Sequence, residues 1–90
     1  MVKEKIHPVD KNKEVLSDIR EIILYNDDFN TFDFVIETLI EVCEHDPVQA
    51  EQCTLIVHFK GKCAVKSGTF TELKPIYSKM SARDLTVEIK

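Results

Sequence analysis

What most narrows the fold of this chain is a change of hydrophobic period across Asn26-Asp27-Asp28. Before it, Arg20-Glu21-Ile22-Ile23-Leu24-Tyr25 is a short, β-branched run that ends in turn formers, the pattern of a strand entering a polar loop. After it, Phe32, Val35, Ile36, Leu39 and Cys43 recur at i, i+3, i+4, i+7 and i+11, one apolar stripe of an amphipathic helix. Asn30 can cap that helix, with Asp33 three residues on reaching back as in a capping box. A strand that gives way at once to such a helix calls for a layered domain, with the stripe covering one face of a sheet.

The rest of the chain supplies the other elements. His45-Asp46-Pro47 interrupts the first helix and opens a second, with Asp46 as cap, Pro47 at the first helical position and Gln49 completing the box. Ala50, Cys53, Thr54, Val57 and His58 share one face of it, Leu55, Ile56 and Phe59 widen the apolar side, and Gly61 is its stop. Lys62 to Lys66 reads as a second strand. A third helix spans roughly Thr71 to Ala82, with Pro75 tolerable only within its first turn. Leu85, Val87 and Ile89 alternate with Thr86, Glu88 and Lys90, a terminal half-buried strand.

The order β-α-α-β-α-β predicts a single small α+β domain, a three-stranded antiparallel sheet covered by three helices. Ninety residues allow only one core. The domain is expected over residues 18–90, and residues 1–17, polar and charge-mixed with Pro8, read as a flexible N-terminal extension.

Composition removes several functions. A net charge of −4 argues against nucleic acid, because phosphate neutralisation needs clustered Lys and Arg. Cys43, Cys53 and Cys63 are odd in number and without CxxC or Cys/His spacing, so neither a disulfide framework nor a metal is indicated. Reduced thiols fit a cytoplasmic protein. The amino terminus lacks the apolar core of a signal peptide, and no run of ~18 apolar residues occurs, so a soluble, unexported protein is expected.

Three groups of residues could carry chemistry. Asn26-Asp27-Asp28 reads as a turn with a capping role, or as part of a cation site needing further oxygen ligands. His58 reads as a structural or exposed imidazole, or as an acid/base group. No HExxH is present and no nucleophile lies close to it in sequence, so an enzyme using Asp27, Asp28 and His58 is a remote reading. Phe32, Val35, Val57 and Leu85 have the spacing of core residues.

The stretch Leu24-Tyr25-Asn26-Asp27-Asp28-Phe29-Asn30-Thr31-Phe32-Asp33-Phe34-Val35 resembles the signature of the ClpS family, adaptors of the ATP-dependent Clp protease. Ala50, Val57, His58, Gly61 and Lys62 stand at that family's spacing after the turn, so the resemblance covers nearly all of residues 18–90. It implies a fold like the C-terminal domain of a ribosomal stalk protein. It also implies a non-enzymatic adaptor that binds N-degron proteins, those with a bulky apolar first residue, and delivers them to a Clp-type AAA+ unfoldase, ClpA- or ClpC-like. Carried over by position, Asn26, Asp27 and His58 would hold the substrate's α-amino group. Phe32, Val35, Thr54, Val57 and Leu85 would wall the side-chain pocket, with Asn30 at its rim.

The chain also departs from the family. Asn30-Thr31-Phe32 replaces a common Thr-Pro-Met, and Thr54 stands where many members carry a large Met screening the pocket. The region between Gly61 and Leu85 is shorter, leaving Glu72 and Lys79 as equivalents of the unfoldase-docking residues. Residues 1–17 would match the family's mobile extension. No cofactor, metal, nucleic acid or membrane is implied, and the alternative is the same fold serving a different protein partner.

Overall fold

A computed structural model of the chain describes residues 18–90; the expected N-terminal extension lies outside the described residues. The elements follow the order β1 (Ile19–Tyr25), α1 (Phe32–Cys43), α2 (Pro47–Lys60), β2 (Lys62–Thr69), α3 (Phe70–Ala82) and β3 (Thr86–Ile89). This is the predicted β-α-α-β-α-β. The sheet is antiparallel with order β2-β1-β3, so the first strand is the central one. Both ladders begin at its end: Tyr25 pairs with Lys62 on one side and Thr86 on the other.

Burial follows from this placement. Ile22 and Leu24, two apart on β1, are wholly buried, as period-2 alternation requires of a strand with one covered face. Leu39 and Cys43 of α1, Ala50 and Val57 of α2, Val65 of β2, Leu73 and Met80 of α3, and Leu85 join them in one core. Each of the larger side chains contributes about 1.5–3 kcal/mol of burial free energy, which the ordering entropy of the chain opposes.

The helix ends show where local rules acted and where they were overridden. Asp46 accepts from the backbone N–H of Gln49 at 2.8 Å with Pro47 at the first helical position, as expected for α2. Gly61 closes that helix at φ +95°, a left-handed conformation that a Cβ would strain, and its N–H returns to the carbonyl of Val57 at 2.9 Å. The cap of α1, in contrast, is Thr31 and not Asn30: the Thr31 hydroxyl accepts from the N–H of Phe34 at 3.1 Å. Strand β2 runs three residues beyond Lys66, and α3 starts at Phe70 under a reciprocal capping box between Thr69 and Glu72. Pro75 therefore stands in the second turn of α3. There it withholds the N–H that the Thr71 carbonyl would otherwise receive, at a turn where Thr71 and Pro75 are both exposed.

Strand β2 bulges where the register shifts between Ile22 and Ile23. Val65 lies in the bulge, and its carbonyl accepts a 2.6 Å hydrogen bond from Nε2 of the buried His45. That bond fastens the α1–α2 corner to the sheet and assigns the proton to Nε2. Nδ1 of His45 finds no partner among the described residues.

The Gly61 cap also bears on the loop after β1, because the Gly61 carbonyl accepts from the N–H of Asn26 at 2.9 Å. Gly61→Ala meets no atom within 4 Å, so its cost is backbone strain alone, about 1 kcal/mol. Chemical denaturation should show that loss with an unchanged m-value.

Candidate functional site

The loop from Asn26 to Thr31 is organised by one carboxylate. Oδ1 of Asp27 accepts from the backbone N–H groups of Phe29 and Asn30, at 2.8 and 2.7 Å, and Oδ2 accepts from Nδ2 of Asn30 at 2.9 Å. Asn30 also donates from Nδ2 to the carbonyl of Asp84 at 2.9 Å, across 54 positions of sequence. Asp84 is itself left-handed, at φ +66°, just before Leu85. The turn after β1 and the corner before β3 are thus held together by the Asn30 amide. Partial burial works to raise the Asp27 pKa, but the bonds from Asn30 and Phe29 outweigh it, and the carboxyl sits below its ordinary range.

Between this loop and α2 lies a recess of about 290 Å³. Phe32 and Val35 come from α1, Thr54 and Val57 from α2, and Leu85 from the α3–β3 corner. Asn26, Asp27, Asn30 and His58 also border it, so all nine residues expected for the amino-group and side-chain sites line one cavity. Thr54, Val57 and Leu85 are buried, Val35 is half-buried, and Phe32 is 39% exposed. Asn26 and His58 are exposed to solvent. The Thr54 hydroxyl donates to the carbonyl of Ala50 at 2.8 Å, so it is satisfied within its own helix. His58 stands in the last turn of α2, and the Phe32 ring meets its imidazole edge-on at 6.4 Å.

Three lining residues lay outside the sequence expectation for this site: Leu24, Tyr25 and Asp28. Their signal was position, since all adjoin the loop. Tyr25 donates its hydroxyl to Oε1 of Glu88 at 2.7 Å, and that carboxylate raises the phenol pKa. Glu72 and Lys79 lie away from the recess on α3, both exposed. Glu72 is engaged with Thr69 in the helix cap, its Oε1 accepting at 2.9 Å. Burial, first of all, raises the thiols of Cys43 and Cys63 to about 11, and Cys43 packs its sulfur 3.6 Å from that of Met80. No helix among the described residues is long and apolar enough to cross a membrane.

Asp27 carries the loop, and its removal should be measurable. Asp27→Ala should cost about 1–3 kcal/mol, and Asp27→Asn less, although the Asn variant sets an amide donor against Nδ2 of Asn30. Because the folded carboxyl is held low, its contribution is complete above the ordinary Asp range near ~3.9 and fades as pH falls through the folded value. Amide exchange at Phe29 and Asn30 should therefore quicken, relative to the intrinsic rate, between pH 5 and pH 2. Protection that stays level over that interval would show that the carboxylate does not hold the loop.

Comparison with known proteins bears on the family and the fold. The family model described as ATP-dependent Clp protease adaptor protein ClpS matches residues 17–87. The ClpS of Pectobacterium carotovorum is 35% identical over 79 residues, covering 83% of this chain and 74% of that protein. The ClpS of Erwinia tasmaniensis is 37% identical over the same length and coverage. Among solved structures, Agrobacterium tumefaciens ClpS2 bound to L-phenylalaninamide superposes with a TM-score of 0.68. The match covers 81% of this chain and 95% of that one, and at 18% identity it speaks for the fold alone. With the family model spanning nearly the whole described domain, the chain belongs to the ClpS family of ATP-dependent Clp protease adaptors.

Proposed function

We propose that this adaptor binds the free α-amino group and bulky apolar first side chain of N-degron proteins and passes them to a Clp AAA+ unfoldase in the cytoplasm. The observation that carries the reading is a single recess with apolar walls and a polar mouth. Phe32, Val35, Thr54, Val57 and Leu85 receive the side chain, with Asn30 at the rim. Asn26, Asp27 and His58 receive the amine.

The chemistry of a chain end fits this division. A terminal ammonium has several N–H donors and one positive charge, so it wants converging acceptors in a negative field. The exposed Asn26 amide and the His58 imidazole are free to accept in a way that the Asp27 carboxylate, already holding three hydrogen bonds, is less so. Asp27 therefore acts chiefly through its charge and through its hold on the loop, and Asp28 on the same lining adds to that charge. The recess volume lies near the lower limit for small-molecule sites, suited to one side chain and its backbone. That ClpS2 from Agrobacterium tumefaciens holds phenylalaninamide, a free amine beside a bulky apolar group, supports the same pairing here.

Burial of one Leu or Phe side chain is worth about 1.5–3 kcal/mol and each charge-assisted hydrogen bond about 1.5–3. After the cost of association this gives micromolar or somewhat tighter binding. No step of the reading makes or breaks a bond; the protein works by capture and hand-over. Delivery would use Glu72 and Lys79 on α3 and the N-terminal extension. A second reading, the same fold with a different partner, draws on the engagement of Glu72 in its own helix cap. Pull-down with Clp-type unfoldases separates the two: retention supports delivery, and failure with every one of them favours the other partner.

Titration of labelled peptides that differ only in the first residue tests capture. Leu, Phe, Tyr or Trp at that position should bind at least tenfold better than Gly, and acetylation of the amine should abolish binding. Asn26→Ala and His58→Ala should each weaken affinity about tenfold. A flat ranking, indifferent to acetylation, would refute the reading. Thr54→Met should narrow the range of accepted first residues by refilling the recess, and unchanged selectivity would show that Thr54 does not gate it.

A further inference from the structure

We propose that Phe59 is a specificity-determining residue for the second residue of a bound chain, favouring aromatic and long aliphatic side chains there. The inference rests on the amino-terminal reading above and extends it by one position.

Phe59 is 76% exposed at the penultimate position of α2, so it contributes little to the core. Exposure alone says nothing, since single surface hydrophobics are ordinary. Its position relative to His58 is what distinguishes it. The Phe59 ring meets the His58 imidazole edge-on, with centroids 5.0 Å apart and planes at 79°. The Phe32 ring does the same at 6.4 Å and 83°. Phe32 lines the recess and Phe59 does not, so the imidazole is in contact with one ring inside the cavity and one outside it.

A chain whose amine lies on His58 and whose first side chain enters the recess has its next Cα only ~3.8 Å further on. In an extended chain successive side chains point to opposite sides. The second side chain therefore points out of the recess, and against the imidazole outside it Phe59 offers an open aromatic surface. Phe29, 79% exposed in the Asp27 turn, is the competing ring. It belongs to an adjoining depression with Asn30, Thr31, Phe34, Arg83 and Asp84, and no ring contact ties it to His58. Of the two, Phe59 is the ring in contact with the imidazole that, on this reading, holds the amine.

The test is a peptide series with a free amine, Phe first, and Ala, Ser, Asp, Leu or Phe second, titrated by fluorescence anisotropy against the full chain. Leu and Phe at the second position should bind about three- to tenfold more tightly than Ala. In Phe59→Ala this preference should shrink to within twofold while the Ala peptide keeps its affinity, and Phe59→Trp should preserve it. Thermal unfolding of both variants should match the parent, given the exposure of the site. A profile flat in the second residue, a preference that survives Phe59→Ala, or an equal weakening of every peptide in that variant would each overturn the proposal. The last would make Phe59 a support for His58 and nothing more. Acetylated controls separate this from failure of the underlying reading. If amine dependence persists while the second position is indifferent, only the role of Phe59 falls; if acetylation has no effect, the amino-terminal reading falls with it.

Discussion

The candidate site depends on the carboxylate of Asp27 and the amide it grips. Three hydrogen bonds converge on that carboxylate from two consecutive residues, and they shape the loop after β1. The Asn30 amide then spans to Asp84, and the Asn26 N–H to Gly61, so the loop is fastened at both flanking corners. These bonds put a polar ridge beside an apolar floor. Without them the loop residues would be an ordinary exposed turn, tied less closely to the corner at Asp84.

The recess exists because the core ends there. Ile22 on the central strand is wholly buried, but Leu24, Thr54, Val57 and Leu85, equally buried from solvent at large, border a space that no side chain of the described residues fills. A small residue at position 54 helps to keep it open, and its hydroxyl is turned back on the carbonyl of Ala50. A chain of this size has little burial to spare, so leaving apolar surface uncovered is a stability cost that a binding partner can relieve.

Much of this was legible locally. The strand–turn–helix switch at Asn26-Asp27-Asp28, the Asp46-Pro47 start and the Gly61 stop are short-range effects, each decided within four residues, and the element order follows from them. Other points were not. Asn30 and Thr31 are both competent caps, and the choice fell to Thr31 because the Asn30 amide is taken up by Asp27 and Asp84. Strand β2 outran its expected end because Ser67, Gly68 and Thr69 pair with Glu21, Arg20 and Ile19, a ladder that overrides weak strand propensity. That extension moved the start of α3 to Phe70 and left Pro75 in the second turn.

The sequence by itself determined which elements form, in what order, and which side chains are apolar enough to be walls, because periodicity and capping are properties of neighbouring residues. Only the tertiary structure decided that nine side chains from a loop, two helices and a corner border one cavity, and that the Asn30 amide joins the Asp27 turn to the corner at Asp84. Those are outcomes of contacts between groups far apart in the chain: Asn30 meets Asp84 across 54 positions beside a strand that pairs with β1, and no local pattern records which of several hydrogen-bond partners will win.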